Sequence, residues 1–251
     1  MFSRRWWWTT LLVLAGIAVA IRLGFWQLKR HADRQATISQ LQTTLAMPVL
    51  DLNLRPLPPD LGAMEYRQVT ATGEYDFAHQ VALRNQVRNR MLGTDPGFTL
   101  LTPLIFADGQ AVVVQRGWVP LDYNSPESWR QFDEPGRIQL QGVIRLSLEE
   151  GELGNSLLDP TLSPGESRLE FWNFVNLDRL QDQIPYPILS VYIQQAPGPN
   201  TESLPYRQIE QPDLDPGAHV GFALQWFFYA GLLLFGYPVW LTRQKTKSLL
   251  S

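Results

Sequence analysis

Histidine is the residue type through which this chain could do metal chemistry, because its 251 residues include three histidines and no cysteine. Neutral imidazole is a common metal ligand. His31, His79 and His219 are far apart in the sequence, so no pair has the spacing of a helical metal site and the three predict no tetrahedral zinc site. The absence of cysteine excludes disulfides, zinc ribbons, thiol redox motifs and cysteine-based copper carriers.

His219 stands at the start of the second of two long apolar segments. Asp215 and Pro216 precede it and suit the cap and the first position of a helix. His219 is then expected in the first turn and a half, near the positive end of the helix dipole. A neutral imidazole, the form that binds a metal or haem iron, is favoured there. The alternative is an interfacial histidine that binds water or lipid headgroups.

The apolar segments contain three further cofactor-binding candidates. Trp226 falls on the same helical stripe as His219, and Ala223 between them is expected to leave a groove for a flat ligand. Arg22 and Gln225 are expected roughly 9–12 Å deep in a membrane, where a charge is costly. Arg22 is predicted to snorkel outward, with an ion pair to an anionic ligand group as the alternative. Gln225 is predicted to hydrogen-bond between helices rather than to a cofactor.

No pattern in the sequence indicates catalysis. The chain has no G-x-S-x-G, no P-loop and no dinucleotide-binding fingerprint. Its paired acidic residues, Glu149-Glu150 and Asp213 with Asp215, lie in polar, turn-rich contexts and are predicted to be solvated. The net charge of -3 gives no basic patch for nucleic acid. The sequence therefore predicts a protein that is not an enzyme and does not bind nucleic acid.

The two apolar segments at the chain ends are predicted to be transmembrane helices. Each has about 23 residues, roughly 34 Å as a helix, which suffices for a hydrocarbon core of about 30 Å. Aromatic residues flank both segments, as expected at membrane interfaces. A cleaved signal peptide is the alternative for the first segment.

The charges of the short tails predict the orientation in the membrane. Arg4 and Arg5 precede the first segment, and Arg243, Lys245 and Lys247 follow the second, with no acidic residue in either tail. The positive-inside rule places both tails in the cytoplasm. We therefore expect a multi-pass protein of a bacterial cytoplasmic (inner) membrane whose central domain is extracytoplasmic.

The region between the segments is predicted to be a small antiparallel β-domain, sandwich or barrel-like, with minor helices. Asp108-Gly109 lies between two apolar runs and is a hairpin signal. The predicted strands are Tyr66–Tyr75, Gln80–Asn85, Phe98–Phe106, Ala111–Val119, Ile138–Leu148, Phe171–Val175 and Ile188–Gln194, with one helix at Leu177–Ile184. The predicted segments are a tail (1–5), a transmembrane helix (6–28), an amphipathic helix with a Pro-rich linker (29–61), the β-domain (62–199), a linker (200–217), a second transmembrane helix (218–241) and a tail (242–251).

Five strings, in order along the chain, resemble the Surfeit-locus cytochrome oxidase assembly family. The first resembles the string that closes the family's first membrane helix, the last resembles one in its second membrane helix, and three lie between. They are Leu23–Arg30 (LGFWQLKR), Glu65–Tyr75 (EYRQVTATGEY), Gly97–Pro103 (GFTLLTP), Arg116–Pro120 (RGWVP) and His219–Phe227 (HVGFALQWF).

The resemblance implies a membrane-anchored, non-enzymatic factor for building haem–copper oxidases. It implies that the protein binds haem a transiently through His219 and hands it to the large subunit of cytochrome c oxidase. Haem a synthesis and assembly factors and membrane lipid are the further partners that it implies. Two departures are present: Asp33-Arg34 stands where members commonly have Trp-Lys, and Phe222 replaces a tyrosine. Neither departure removes the histidine.

A membrane-anchored scaffold that binds oxidase subunits or other assembly factors without haem is the alternative function. A lone histidine supplies one axial bond, so a second ligand would come from elsewhere, and a homo-oligomer is left open. The other residues of the family strings are expected to be structural: Gly24, Trp26, Gln27, Arg30, Tyr66, Arg67, Gly73, Arg116, Gly117 and Trp118. For Arg116 the expectation is an ion pair, with a partner-facing role as the alternative.

Overall fold

The computed structural model describes residues 7–90, 93–147, 162, 168–200 and 202–249, without the side chains of residue 90 and of 245–249. The predicted roles of Arg4, Arg5 and the Glu149-Glu150 pair, and of the Lys245 and Lys247 side chains, lie outside the described residues. The chain divides into two compact units. One consists of Met1–Gln42 with Asp213–Ser251, and the other of Thr43–Pro212.

Two long helices dominate the first unit, and both are long and apolar enough to cross a membrane. The first, α1, spans Trp7–Leu45 without interruption, so the amphipathic stretch after the apolar segment does extend it. It ends three residues before Pro48, whose ring disfavours a helical residue in front of it. The other helix, α4, spans His219–Leu249 and contains Pro238. It therefore continues through most of the segment predicted as a tail.

The two helices pack antiparallel through small residues. The Thr10 hydroxyl lies 2.7 Å from the hydroxyl of Tyr237. A Cβ built on Gly24 would lie 2.6 Å from the ring of Phe227. Ala20 lies four residues before Gly24 and is buried. Such spacing of small residues lets two membrane helices approach closely, since packing rather than hydrophobicity drives their association in lipid.

The second unit is a five-stranded β-barrel with additional strands and short helices, which confirms the predicted fold class. Its elements are β1 Leu50–Asp51, β2 Gln68–Tyr75, β3 Val81–Arg90, β4 Gly93–Ile105, β5 Ala111–Pro120, β6 Arg137–Leu146, β7 Phe171–Trp172 and β8 Ile188–Gln195, with α2 at Pro126–Trp129 and α3 at Leu177–Gln181. Strands β2, β6, β8, β5 and β4 are neighbours in that order, and a pairing of β4 with β2 closes the ring. β1 extends β2, while β3 and β7 extend β4.

The sheet differs from the prediction in one respect, because it is mixed rather than antiparallel. β5 pairs parallel with β8, as do β1 with β2 and β3 with β7. The predicted hairpin at Asp108-Gly109 joins the antiparallel strands β4 and β5, and Gly109 has a φ of +84°. Parallel neighbours are far apart in sequence, so local turn signals do not reveal them.

Both faces of β5 are buried, which explains its run of valines. Val112 and Val114 point into the barrel interior, whereas Val113 points the other way, into a second core beneath α3. A third cluster forms around Trp129 of α2. Strands buried on both faces are continuously apolar rather than alternating.

A β-bulge interrupts the pairing of β4 with β5. Leu100 is opposite Gly117 and Leu101 is opposite Gln115, so Arg116 has no partner on β4. An extra residue of this kind bends the strand and redirects its side chain. The bulge therefore places a charged residue of a family string in the interior, where Arg116 is fully buried.

Candidate functional site

His219 is the first residue of α4, which corrects the helix start expected from the sequence. The Ala218 carbonyl accepts the first helical hydrogen bond, from the Phe222 amide at 3.1 Å. Gly217 has a φ of +73°, a left-handed conformation that a right-handed helix excludes. Asp215 therefore does not cap α4; its carboxylate instead accepts from the Gly217 amide at 2.8 Å.

The imidazole of His219 faces α1 and meets Gln27. Its Nδ1 lies 3.0 Å from Oε1 of Gln27, across 192 residues of sequence. Both side chains are half-buried. An amide oxygen only accepts hydrogen bonds, so Nδ1 is the donor of this pair and carries the proton of the neutral ring. The lone pair of a neutral His219 is then on Nε2.

The Nε2 side of the ring faces Gly217. A Cβ built on Gly217 would lie 3.3 Å from Nε2 and equally far from Cδ2. Gly217 itself is exposed. A side chain at residue 217 would therefore crowd the ring edge that carries Nε2, whereas glycine does not.

An arginine of α1 secures the segment that leads into His219. Arg34 donates to the Asp213 carboxylate at 2.8 Å, and to the carbonyl oxygens of Asp213 and Asp215 at 2.8 and 3.1 Å. Asp213 and Asp215 are exposed, as expected for solvated surface acids, and their contacts with Arg34 also tie this segment to the helix. Arg34 belongs to the Asp33-Arg34 pair, which stands where members of the family commonly have Trp-Lys.

His31 lies on α1 between these two contacts. It follows Gln27 by four residues and precedes Arg34 by three, so the three side chains share one helical face. Its Nδ1 is buried and has no hydrogen-bond partner among the described residues. A buried polar atom without a partner is costly and calls for an explanation, such as a ligand or water.

The structure does not bring the other three cofactor-binding candidates to His219. Gln225 is exposed and donates to the Tyr229 hydroxyl of its own helix at 2.7 Å, so it does not join the two helices. The Trp226 ring contacts Tyr229 as well, at 6.0 Å between centroids. Arg22 is exposed and forms no ion pair in the described part of the chain.

The groove expected on α4 is filled. Ala223 has no exposed surface and Ala230 is 6% exposed, because small residues let the helices pack tightly here. A flat ligand therefore has no room along this stripe. A ligand of His219 would instead lie on the Gly217 side of the ring, before the first turn of α4.

Arg116 forms buried polar contacts within the barrel unit. Its guanidinium donates to Gln80 at 2.9 Å, to Glu134 at 3.0 Å and to the carbonyl oxygen of Phe132, while Nε has no partner among the described residues. Arg207 donates to the same Glu134 carboxylate at 2.5 Å. A residue with no exposed surface is not available to a partner, so these contacts favour the ion-pair role.

The glycines of the family strings lie where backbone or rings approach closely. A Cβ on Gly73 would lie 2.4 Å from the Ile105 carbonyl oxygen, and one on Gly117 would lie 2.6 Å from that of Tyr206. Gly97 packs under Trp118, whose buried Nε1 has no partner among the described residues.

The remaining residues of the strings also have local contacts. Arg30 lies over the Trp26 ring, with its guanidinium carbon 5.5 Å from the ring centroid. Arg67 donates to the Pro48 carbonyl at 3.2 Å. Tyr66 has a φ of +66° and lies under the guanidinium of Arg145, 4.4 Å away. These contacts account for the residues as parts of the fold.

A cluster of three polar side chains on the barrel unit has the form of an acid–base group. The Asp76 carboxylate accepts from Nδ1 of His79 at 2.6 Å and from the Tyr186 hydroxyl at 2.7 Å. Burial alone would raise the pKa of Asp76, but the hydrogen bonds from Tyr186 and His79 outweigh it and lower the pKa below its usual value. Asp76 also caps the turn Phe77–His79, so the cluster has a structural role.

Sequence reasoning treated Gln27 as structural and missed Gly217 and Arg34. One signal for this face was present, because Gln27, His31 and Arg34 recur at helical spacing on α1. The pairing with His219 itself is a tertiary contact between the two ends of the chain. No local pattern could have revealed it.

Comparison with known proteins gives one matching family model, described as the SURF1 family, over residues 14–231. Surfeit locus protein 1 of Arabidopsis thaliana is 23% identical to this chain over 91% of the chain and 76% of the relative. The protein of the same name from Rattus norvegicus is 30% identical over 52% of the chain and 45% of the relative. A SURF1-like protein of Mycobacterium bovis is 26% identical over 94% of the chain and 87% of the relative. The aligned part therefore spans less than half of the rat relative.

Proposed function

The chain belongs to the SURF1 family, and from this premise we propose that it is an assembly factor for a haem–copper oxidase that binds haem a and hands it to the large oxidase subunit. SURF1 proteins are known as cytochrome oxidase assembly factors. Haem a is then cargo, and the protein acts as a carrier rather than as an enzyme.

The contact between Gln27 and His219 is the observation that supports this function most. It holds an imidazole at the end of the helix pair with Nδ1 engaged and Nε2 beside a glycine. One imidazole gives one axial bond to haem iron. A single axial bond suits a cargo that must be released again, because each added ligand would slow its release.

His219 would bind the iron, Gln27 would orient its ring, and Gly217 would leave room for the cargo. Arg34 holds the Asp213–Asp215 segment against α1 and so keeps Gly217 in place. His31 is the other histidine of this unit, with a buried and unpartnered Nδ1 among the described residues. It is the candidate within this unit for a further ligand.

The two apolar terminal helices suggest membrane anchoring. We propose the bacterial cytoplasmic membrane, with both termini in the cytoplasm and the barrel unit outside it, from the tail charges. The Gln27–His219 level of the helix pair would then lie at the outer membrane surface. The partners proposed are the large subunit of cytochrome c oxidase, haem a synthesis and assembly factors, and lipid.

The test is a visible absorption spectrum of the detergent-purified protein from cells that make haem a. The native chain is compared with His219→Ala and with His79→Ala, a matched variant in the barrel unit. We expect haem a in the native chain and in His79→Ala, and its loss in His219→Ala. Absence of haem from a folded native chain that still supports oxidase assembly would instead favour a scaffold that binds oxidase subunits.

A further inference from the structure

We infer that Gln27 is a positioning residue that fixes the tautomer of His219, so that Nε2 is the atom that binds iron. This inference rests on the proposed function for the identity of the ligand. The tautomer itself is a property of the protein without haem. The sequence had predicted a purely structural role for Gln27.

The contact is specific in its polarity. Gln27 Oε1 and His219 Nδ1 are 3.0 Å apart, an ordinary hydrogen-bond distance. In neutral imidazole one nitrogen donates and the other accepts, so a bond to an acceptor at Nδ1 leaves the lone pair on Nε2. Histidines that bind metals almost always donate their other N–H to an oxygen in this way, which sets the ring orientation.

The opposite side of the ring supplies the second observation. Nε2 faces Gly217, where a Cβ would come within 3.3 Å. Any other side chain there would also be strained, because Gly217 has a φ of +73°. The chain thus engages Nδ1 in a hydrogen bond and places a glycine rather than a larger side chain beside Nε2, which is the asymmetry expected of a ligand histidine.

The position of Gln27 on α1 connects this function to helix packing. α1 supplies Gln27 three residues after Gly24, the residue at which the Phe227 ring of α4 comes closest. A close approach of the helices therefore sets the distance over which Gln27 reaches His219. Haem affinity should then depend on a residue of α1 that contributes no ligand itself.

The first experiment measures the tautomer in the full-length protein without haem. Nitrogen-15 NMR of the histidine side chains distinguishes the two neutral tautomers at about pH 8.5, where histidines are ordinarily neutral. The chain has only three histidines, and loss of one signal set in His219→Ala assigns it. We expect His219 to carry its proton on Nδ1 in the native chain.

Three variants test the role of Gln27. Gln27→Leu removes the acceptor and should abolish the preference for Nδ1–H, whereas Gln27→Glu keeps an acceptor and should retain it. Gln35→Leu is the matched control, on an exposed position of the same helix. A native His219 protonated on Nε2, or an unchanged tautomer in Gln27→Leu, would overturn the inference whether or not haem binds.

The second experiment uses the haem-loaded protein. Gln27→Leu should weaken haem binding by about 10–100-fold, the usual effect of removing a ligand's hydrogen-bond partner. Gln27→Glu should lower the reduction potential of the bound haem, because an anionic acceptor makes the imidazole a stronger donor and favours ferric iron. If neither the native chain nor any variant binds haem, the proposed carrier function is wrong. The tautomer result is still valid, because it is measured without haem. Binding and potential unchanged in both Gln27 variants would remove Gln27 from the site.

Discussion

Gly24 of α1 and Phe227 of α4 are in such close contact that a Cβ on the glycine would lie 2.6 Å from the ring. Gly24→Leu should therefore push the helices apart or displace the ring. We expect it to lower the free energy of unfolding of the helix pair by about 1–3 kcal/mol, the usual cost of overpacking. Helix unfolding in mixed micelles, followed by circular dichroism, measures it.

Gly231→Leu is the control for this substitution. Gly231 lies in the middle of α4 with nothing within 4 Å of a built Cβ, so the same side chain meets open space there. An equal loss of stability in both variants would mean that close packing at Gly24 is not what joins the helices. If the Gln27 contact depends on this packing, Gly24→Leu should also reduce haem binding.

Gly117 is a second position at which only glycine fits, for two separate reasons. It has a φ of +136°, and a Cβ would lie 2.6 Å from the Tyr206 carbonyl oxygen. Backbone atoms cannot move aside as a side chain can, because Tyr206 and Trp118 exchange two hydrogen bonds here. We expect Gly117→Ala to lower the free energy of unfolding by about 3 kcal/mol in a urea titration.

Gly136→Ala measures the effect of a positive φ at a glycine that has no close neighbour. Gly136 has a φ of +88° but nothing within 4 Å of a built Cβ, so alanine there reports the backbone conformation alone. The larger loss expected in Gly117→Ala then reports the close approach to Tyr206 together with the different φ of +136° at Gly117. A Gly117→Ala protein no less stable than Gly136→Ala would contradict the steric argument.

The barrel shows which features the sequence could predict. The hairpin at Asp108-Gly109 depends on local turn chemistry, and the valines of β5 on burial of a strand, so both were accessible. The parallel pairing of β5 with β8 depends on strands separated by about 70 residues and was not. Local patterns specify elements, whereas barrel closure depends on tertiary packing.

The site shows the same division. His219 was identified from its place in an apolar segment and a family string, but the predicted cap at Asp215 was wrong because the conformation of Gly217 was not foreseen. The groove along Ala223 was wrong because small residues in a membrane helix serve helix packing at least as readily as ligand binding. Gln27 became a candidate only when both ends of the chain were placed together.

Buried Arg116 predicts a large effect for a conservative change of its partner. Glu134→Gln keeps the shape of the side chain but removes the counter-charge of a buried guanidinium. The Glu134 side chain itself is 38% exposed, so solvent offsets part of the loss. We expect a loss of about 1–3 kcal/mol in the free energy of unfolding, measured by urea titration of tryptophan fluorescence.

Glu202→Gln is the matched control, since Glu202 pairs with Arg88 at 2.8 Å and is 77% exposed. Exposed ion pairs contribute less than about 1 kcal/mol. If the two variants were equally stable, the pair between Glu134 and the buried Arg116 would have no special role.

The Asp76 cluster predicts how acid affects the barrel unit. Hydrogen bonds from Tyr186 and His79 hold the pKa of Asp76 below its unfolded value. A carboxyl group whose pKa is lower in the folded state adds stability above its unfolded pKa of about 3.9, and this contribution is lost as the pH falls through that value toward the folded pKa. The native protein should therefore lose stability between about pH 5 and pH 2.

Tyr186→Phe removes the hydroxyl that lies 2.7 Å from Asp76. It should lower stability at neutral pH by about 1.5–3 kcal/mol, the range for a hydrogen bond to a charged group, and the pKa of Asp76 should rise toward its unfolded value. The acid-dependent loss of stability should then be smaller than in the native chain. Tyr123→Phe is the control, because the Tyr123 hydroxyl makes no hydrogen bond among the described residues and its ring packs on Phe132. Urea titrations at each pH measure the difference, and parallel pH profiles for native and Tyr186→Phe proteins would show that this hydroxyl does not set the ionisation of Asp76.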